Sequence, residues 1–277
     1  MSGFETPVLE SEPEIAAARP LPPERINLKV TGILTFKECP RRFYLEHALR
    51  LPEVADRATA AAPGVPADSL GARVGNFFHQ LARWDGEIWP ERLWETAFVD
   101  LERTQRERLR NDLQRMWVNF RRSEFADPSG KCWEEVPFQL KLDAGVRVEG
   151  RFDRLLRLSD GKLVLVDYKT HRISGEQTGP VAVRYFWQLQ LYALAVQALW
   201  GCKPDRAALY FPYPDSTVTV PLDETVLAET VREVTAIGRF IREHDRMTDY
   251  IRKEICSGCV YAWFCDPAAG YGEKKAK

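Results

Sequence analysis

A chain of 277 residues with 39 Lys and Arg against 40 Asp and Glu carries a net charge of −1. As a whole it is no electrostatic magnet for a polyanion, so any such partner has to be held in a local basic groove. Its 45% hydrophobic content, with eight Trp and fourteen Phe, allows a substantial core in one large domain or two small ones. No apolar run approaches the roughly 20 residues of a bilayer span, which excludes a membrane-spanning helix. The N-terminus lacks an apolar signal-peptide core, which predicts a cytoplasmic protein.

Residues 1–25 are rich in Pro, Glu and Ala and predict a flexible leader; residues 26–266 predict a single α/β domain, and residues 267–277 a flexible tail. Thr31 is the expected cap of a short helix through Ile33, Leu34 and Phe36, with Pro40 disturbing its end. Arg41-Arg42-Phe43-Tyr44 mixes cations with aromatics, and an Ala- and Pro-rich loop follows at about Ala55 to Pro66. Helical spacing of Leu101, Leu109, Leu113, Trp117 and Phe120 predicts a long helical region over about Leu70 to Arg122. Its arginines (103, 106, 108, 110, 115, 121 and 122) fit either a solvated face or a stripe facing a polyanion.

The pattern changes after Trp133. Val136 to Leu142, Val146 to Leu158 and Lys162 to Tyr168 read as strands, the last two joined by the turn Ser159-Asp160-Gly161. A helix from about Val183 to Leu199, strands Arg206 to Tyr213 and Thr217 to Leu222, and a charged helix from about Glu224 to His244 complete the order. There is no internal repeat and no G-x-x-x-x-G-K-[ST] phosphate loop.

Two acids stand out within the strands. Asp167 and Lys169 are two apart and project to one side of their strand. Folding about Ser159-Asp160-Gly161 puts Asp153 opposite Asp167 or Tyr168. The run Leu163-Val164-Leu165-Val166 is apolar on both faces, as a central strand should be. A charged group ending such a run is costly unless something partners it. One partner is structural, an Asp–Lys ion pair closing a strand. The other is a divalent ion on paired carboxylates, which activates water and offsets charge in phosphodiester hydrolysis, with a lysine beside it to orient the water.

The segments Gly150-Arg151-Phe152-Asp153-Arg154 and Val164-Leu165-Val166-Asp167-Tyr168-Lys169-Thr170 resemble the central motifs of the PD-(D/E)XK nuclease superfamily, in its RecB-like branch. Gly75-Asn76-Phe77-Phe78-His79-Gln80-Leu81 resembles that branch's upstream histidine motif, and Gln188-Leu189-Gln190-Leu191-Tyr192 its Q-x-x-x-Y. The resemblance runs from about Thr31 to Asp266. It implies a restriction-endonuclease-like core, a mixed central sheet flanked by helices, here with a helical insertion over residues 70–125. It also implies that His79, Asp153 and Asp167, with the backbone carbonyl of Tyr168, ligate Mg²⁺ or Mn²⁺. Lys169 would be the catalytic lysine, and Gln188 and Tyr192 would steady the site or touch substrate. The expected activity is that of a deoxyribonuclease, an exonuclease or single-strand-specific enzyme in repair, recombination or CRISPR and antiphage defence. Its substrate would be DNA that is single-stranded or has single-stranded ends, and its partner a separate helicase or a CRISPR integrase. The alternative is a non-catalytic DNA-binding subunit of a helicase–nuclease complex.

Three cysteines crowd the C-terminal region as Cys256-x2-Cys259-x5-Cys265, and Cys39 stands alone near the front. Three soft ligands want a fourth for zinc or an iron–sulfur cluster, and spacing alone does not separate the two. Cys39 followed by Pro40-Arg41-Arg42-Phe43 resembles the lone N-terminal cysteine of iron–sulfur RecB-like nucleases, AddB and the CRISPR-associated adaptation exonuclease among them. The resemblance implies a 4Fe–4S cluster on Cys39, Cys256, Cys259 and Cys265 that joins the N- and C-terminal regions, with structural Zn²⁺ as the alternative. Cys132 and Cys202 fall outside the pattern.

Overall fold

The computed structural model describes residues 25–51, 70–126, 131–253 and 259–265. The expected leader up to residue 24, the Ala- and Pro-rich loop, Cys256 and the tail lie outside the described residues. Within them, β1 (Ile26–Lys29) leads into α1 (Val30–Glu38) and α2 (Pro40–Phe43), and α3 (Leu70–Ala82), α4 (Glu91–Ala97) and α5 (Arg103–Arg122) follow. Next come β2 (Lys131–Lys141), β3 (Val146–Arg157), β4 (Leu163–Tyr168), α6 (Gly175–Ala182) and α7 (Phe186–Trp200). The chain continues through β5 (Arg206–Phe211), β6 (Ser216–Val220), α8 (Glu224–Glu243) and the short α9 (Ala262–Cys265).

The strands form one mixed sheet flanked by helices, and β3 is its spine. Along one edge β3 pairs antiparallel with β2, from Lys131↔Arg157 to Lys141↔Arg147. Along the other edge, β1 runs parallel beside Val146–Glu149 and β4 antiparallel beside Arg154–Arg157. Between those two partners β3 faces a fork holding Gly150 to Asp153. A side chain at Gly150 would press on Phe138 and Val30 from both sides, at 2.9 and 3.0 Å from an added Cβ, so the fork requires glycine there. Beyond β4 the sheet continues with β5, parallel, and β6, antiparallel.

Alternation sorts the strand residues onto two faces. Leu163 and Leu165 of β4 join Leu209 and Phe211 of β5, Leu189 and Val196 of α7, and Val234 and Ile237 of α8. Val164, Val166 and Tyr168 turn the other way, onto Phe77, Phe78, Trp94, Trp117 and Phe120 of α3, α4 and α5. Every residue of β4 is buried.

Several local expectations change. The helical region over Leu70 to Arg122 is three helices, because Asp85-Gly86 and Pro90 break it once and the stretch ahead of Arg103 breaks it again. Thr31 does not cap α1: the helix begins one residue earlier, Lys29 is the N-cap and no side chain caps it. The four-residue strand β1 is too short to show periodicity, and α6, with Gly175 at its start and Pro180 inside, has poor helix propensity. Much of the arginine stripe is engaged within its own layer. Arg103 pairs with Glu107 at 3.0 Å, Arg110 donates to Glu91 at 2.9 Å, and Arg121 donates to the Gly86 carbonyl at 2.9 Å.

Close packing of α8 on β3 yields a stability prediction. A Cβ on Gly238 would run into the Val146 side chain, which is fully buried. Gly238→Ala should therefore overpack this interface and cost about 2 kcal/mol, which a thermal melt would register as a drop of several degrees in Tm.

Candidate metal and acid site

The fork in β3 is where the acids meet. The β3–β4 register, Arg154↔Val166 at its last paired position, carries Asp153 to the level of Asp167 when extended by one residue. Asp153 Oδ2 accepts the Tyr168 backbone N–H at 2.8 Å. On the other edge, the β2–β3 register runs without a slip from Glu134↔Arg154 to Val136↔Phe152, yet skips the pair between them. That pair is Glu135 and Asp153. Glu135 has φ +51°, a left-handed backbone that a non-glycine residue rarely adopts. It lets the Glu135 side chain turn towards the fork.

His79 arrives from the opposite layer. Phe77, Phe78 and Leu81 anchor α3 in the core, and Tyr168 meets both Phe78 and His79 edge-on at 5.5 Å. His79 Nδ1 lies 2.9 Å from Glu135 Oε1, and Nε2 lies 3.7 Å from Asp153 Oδ2. Ligand atoms of His79, Glu135 and Asp153 all fall within 4.8 Å of one another. Two carboxylates and an imidazole suit a hard or borderline divalent ion such as Mg²⁺ or Mn²⁺.

Asp167 belongs to an adjoining group on the α7 side. It is 1% exposed; its Oδ2 is 2.7 Å from the Lys169 ammonium and its Oδ1 accepts from Gln188 Nε2 at 2.9 Å. Gln188 also accepts from Lys169 at 2.9 Å and donates to the Tyr192 hydroxyl at 2.8 Å. Gln188 and Tyr192 are one turn apart on α7, so one helix face carries both to the acid–lysine pair. The sheet thus brings His79 and Asp153 together with Glu135, and Asp167 together with Lys169, Gln188 and Tyr192.

Electrostatics tie the two groups into one site. Burial, with the Asp167 charge added to it, pushes the Asp153 carboxyl well above the usual aspartate range. Burial on its own lowers the Lys169 pKa, but the charge and hydrogen bond of Asp167, with the Asp153 charge added, outweigh it and raise the pKa above the usual lysine value. Lys169 is therefore an ammonium at neutral pH.

Two residues of the site are not among those the sequence singles out. Glu135 stands just outside a strand expected to begin at Val136. The signal for it is the hairpin between β2 and β3: Leu142 N–H donates to the Val146 carbonyl at 2.8 Å, and counting back from that pair sets Glu135 opposite Asp153. Arg154 is the other. It is buried against the helical layer, donating to the Phe125 carbonyl at 3.0 Å and the Tyr168 hydroxyl at 3.3 Å, and pairing with Glu134 at 2.7 Å.

Of the expected cluster cysteines, Cys39 is buried between α1 and α2, and Cys259 and Cys265 are half-buried. The two chain regions that carry them are in contact. Arg41 Nε donates to the Tyr250 carbonyl at 2.7 Å, Tyr44 donates to the Asp245 carbonyl at 2.7 Å, and Tyr261 donates to the Leu51 carbonyl at 3.0 Å. Among the described residues, the His79 group is the one whose ligand atoms share the 4.8 Å spacing; the three described cysteines do not.

The family model described as PD-(D/E)XK nuclease superfamily matches residues 28–266. An ATP-dependent helicase/nuclease subunit from Listeria monocytogenes serotype 4b (strain F2365) is 34% identical over 90 residues, 30% of this chain and 7% of that protein. The corresponding helicase/nuclease subunit from Bacillus pumilus (strain SAFR-032) is 40% identical over 73 residues, 24% of this chain and 6% of that protein. The chain thus spans well under a tenth of the length of these relatives. The crystal structure of SSO0001 superposes with a TM-score of 0.41 at 15% identity, over 87% of this chain and 86% of that one. On the family match, which covers most of its length, the chain belongs to the PD-(D/E)XK nuclease superfamily.

Proposed function

We propose that this protein is a Mg²⁺- or Mn²⁺-dependent deoxyribonuclease acting on single-stranded DNA or single-stranded ends. The observation that carries the reading is the convergence of His79, Glu135 and Asp153 within ligand distance of one another, beside a buried Asp167–Lys169 pair. His79, Glu135, Asp153 and Asp167 would hold the ion, with the Tyr168 carbonyl available at the same strand end. A bound divalent ion supplies an activated water at neutral pH and a counter-charge for phosphate oxygens. Lys169, protonated, orients that water or the scissile phosphate by donating hydrogen bonds. Gln188, fixed between Lys169, Asp167 and Tyr192, holds both charged groups in place.

In this reading residues 26–266 form one nuclease domain, with α3 to α5 supplying the metal-side histidine. The nature of the relatives, components of helicase/nucleases, favours a helicase as working partner over a CRISPR integrase. Cys39, Cys256, Cys259 and Cys265 would hold a 4Fe–4S cluster; the contacts between the Arg41–Tyr44 and Asp245–Tyr250 regions support it. Such a cluster would offset part of the chain entropy of closing that loop, about 5 kcal/mol on a logarithmic estimate.

Asp167→Ala should abolish Mn²⁺-dependent cleavage of an end-labelled single strand while leaving DNA binding within about threefold. A wild type that cuts neither single nor double strands with Mg²⁺ or Mn²⁺ would overturn the nuclease reading. Glu135→Ala should reduce the rise in Tm that Mn²⁺ gives the wild type, because one of the grouped ligands is gone; an unchanged rise would remove Glu135 from the metal set. Anaerobically purified protein should contain about four iron and four sulfide per chain and lose them on Cys39→Ala. Zinc without iron would replace the cluster by a structural zinc site.

A further inference from the structure

The loop after Lys169 and the loop after β5 leave the sheet side by side, since Tyr168 and Tyr210 pair in parallel register. Arg172, three residues beyond Lys169, and Tyr213, three beyond Tyr210, meet there. Arg172 Nε donates to the Tyr213 hydroxyl at 3.1 Å. From α5, the Arg115 guanidinium lies 4.3 Å from the centre of the Tyr213 ring. Asp112, one turn before Arg115, pairs with both arginines, at 3.3 Å to Arg172 and 3.4 Å to Arg115. Asn119, a further turn along α5, donates to the Pro212 carbonyl at 2.9 Å and pins the loop.

This assembly is charged and outward-facing. One carboxylate serves two guanidiniums, so the group is net positive. The Arg172 side chain is 69% exposed and that of Arg115 51%, against 19% for Asp112. Each guanidinium offers five N–H donors in a planar fork, and the bonds of Arg172 to Tyr213 and Asp112 engage only some of them. The hydrogen bond from Arg172, with Arg115 beside it, holds the Tyr213 hydroxyl below the usual tyrosine range. Elsewhere on α5, Arg103 and Arg110 each face a glutamate of their own. Arg172 and Arg115 share one aspartate.

We infer that Arg172 and Arg115, braced on Tyr213 and Asp112, form a binding station for a backbone phosphate of the DNA strand near the scissile position. The inference rests on the nuclease reading for its substrate. Three residues of chain span at most about 11 Å, so Arg172 sits within a few nucleotides of Lys169. Planar guanidiniums recognise phosphate by paired hydrogen bonds, and an arginine held by a tyrosine ring loses less freedom when it does so. A contact of this kind positions the strand and carries no sequence preference.

The test is fluorescence polarisation of a labelled thymidine 20-mer with metal-free full-length protein across a salt series, beside Mn²⁺-dependent cleavage of the same strand. Arg172→Ala and Arg115→Ala should each weaken binding about 5- to 20-fold at moderate salt. Each should also lower the slope of log Kd against log salt by about 0.7 per lost phosphate contact to a single strand. Arg232→Ala, on the exposed side of α8, removes the same charge away from the site and should change neither quantity. Arg172→Lys keeps the charge without the fork and should fall between. If both alanine variants bind with wild-type affinity and slope, or lose no more than Arg232→Ala, the station is overturned even where cleavage proceeds. A wild type that binds through these arginines but does not cut supports the station and overturns the nuclease reading instead.

Discussion

Carboxylates that crowd a low-dielectric edge repel one another, and each raises its neighbour's proton affinity. Glu135, Asp153 and Asp167 crowd in this way at the fork of the sheet, and much of the surrounding structure counters the cost. Lys169 supplies a full positive charge 2.7 Å from Asp167, and the Tyr168 backbone N–H stabilises Asp153. Gln188 spans the lysine and the aspartate through opposite ends of one amide, so neither charge is left to find water. On the His79 side, Glu135 lies 2.9 Å from the imidazole and 3.6 Å from the Arg151 guanidinium.

The two helical layers act on this site from opposite faces. Layer one delivers Gln188 and Tyr192 on α7; layer two delivers His79 on α3. They meet because β1 and β4 part company along β3, opening the sheet at Gly150 to Asp153. Tyr168 is the pivot. Its backbone lies on the acid side, while its buried ring packs against Phe78, His79 and Phe120. Arg154, buried behind it, fixes the ring's hydroxyl and ties it to the Phe125 carbonyl. A disturbance in the aromatic layer would therefore move both His79 and the strand end that carries Asp167.

The left-handed conformation of Glu135 fits the same logic. Strained backbone persists where its surroundings over-determine it, and here an unslipped ladder runs on both sides of the residue. In this conformation the Glu135 carboxylate lies 2.9 Å from His79 Nδ1.

Much of the site was legible in the residues themselves, and the reason is locality. The β3–β4 hairpin has a short turn, so its register follows from counting, and the alternation of Asp167 and Lys169 follows from the pleat. Gln188 and Tyr192 share a face because the helix repeat says so. Glu135 was legible only in part: counting back along the β2–β3 hairpin sets it opposite Asp153, but its turn towards His79 depends on a positive φ beyond the apolar run of the strand. The division of α3, α4 and α5 rested on breaks that the apolar spacing spans. Sequence periodicity thus determined the strands from β3 to β6, the central helix and the shared side of Asp167 and Lys169. Only tertiary structure brought Glu135 to within ligand distance of His79 and Asp153. That meeting depends on which helical layer covers which face of the sheet and on where β1 and β4 diverge, both settled by contacts between residues distant along the chain.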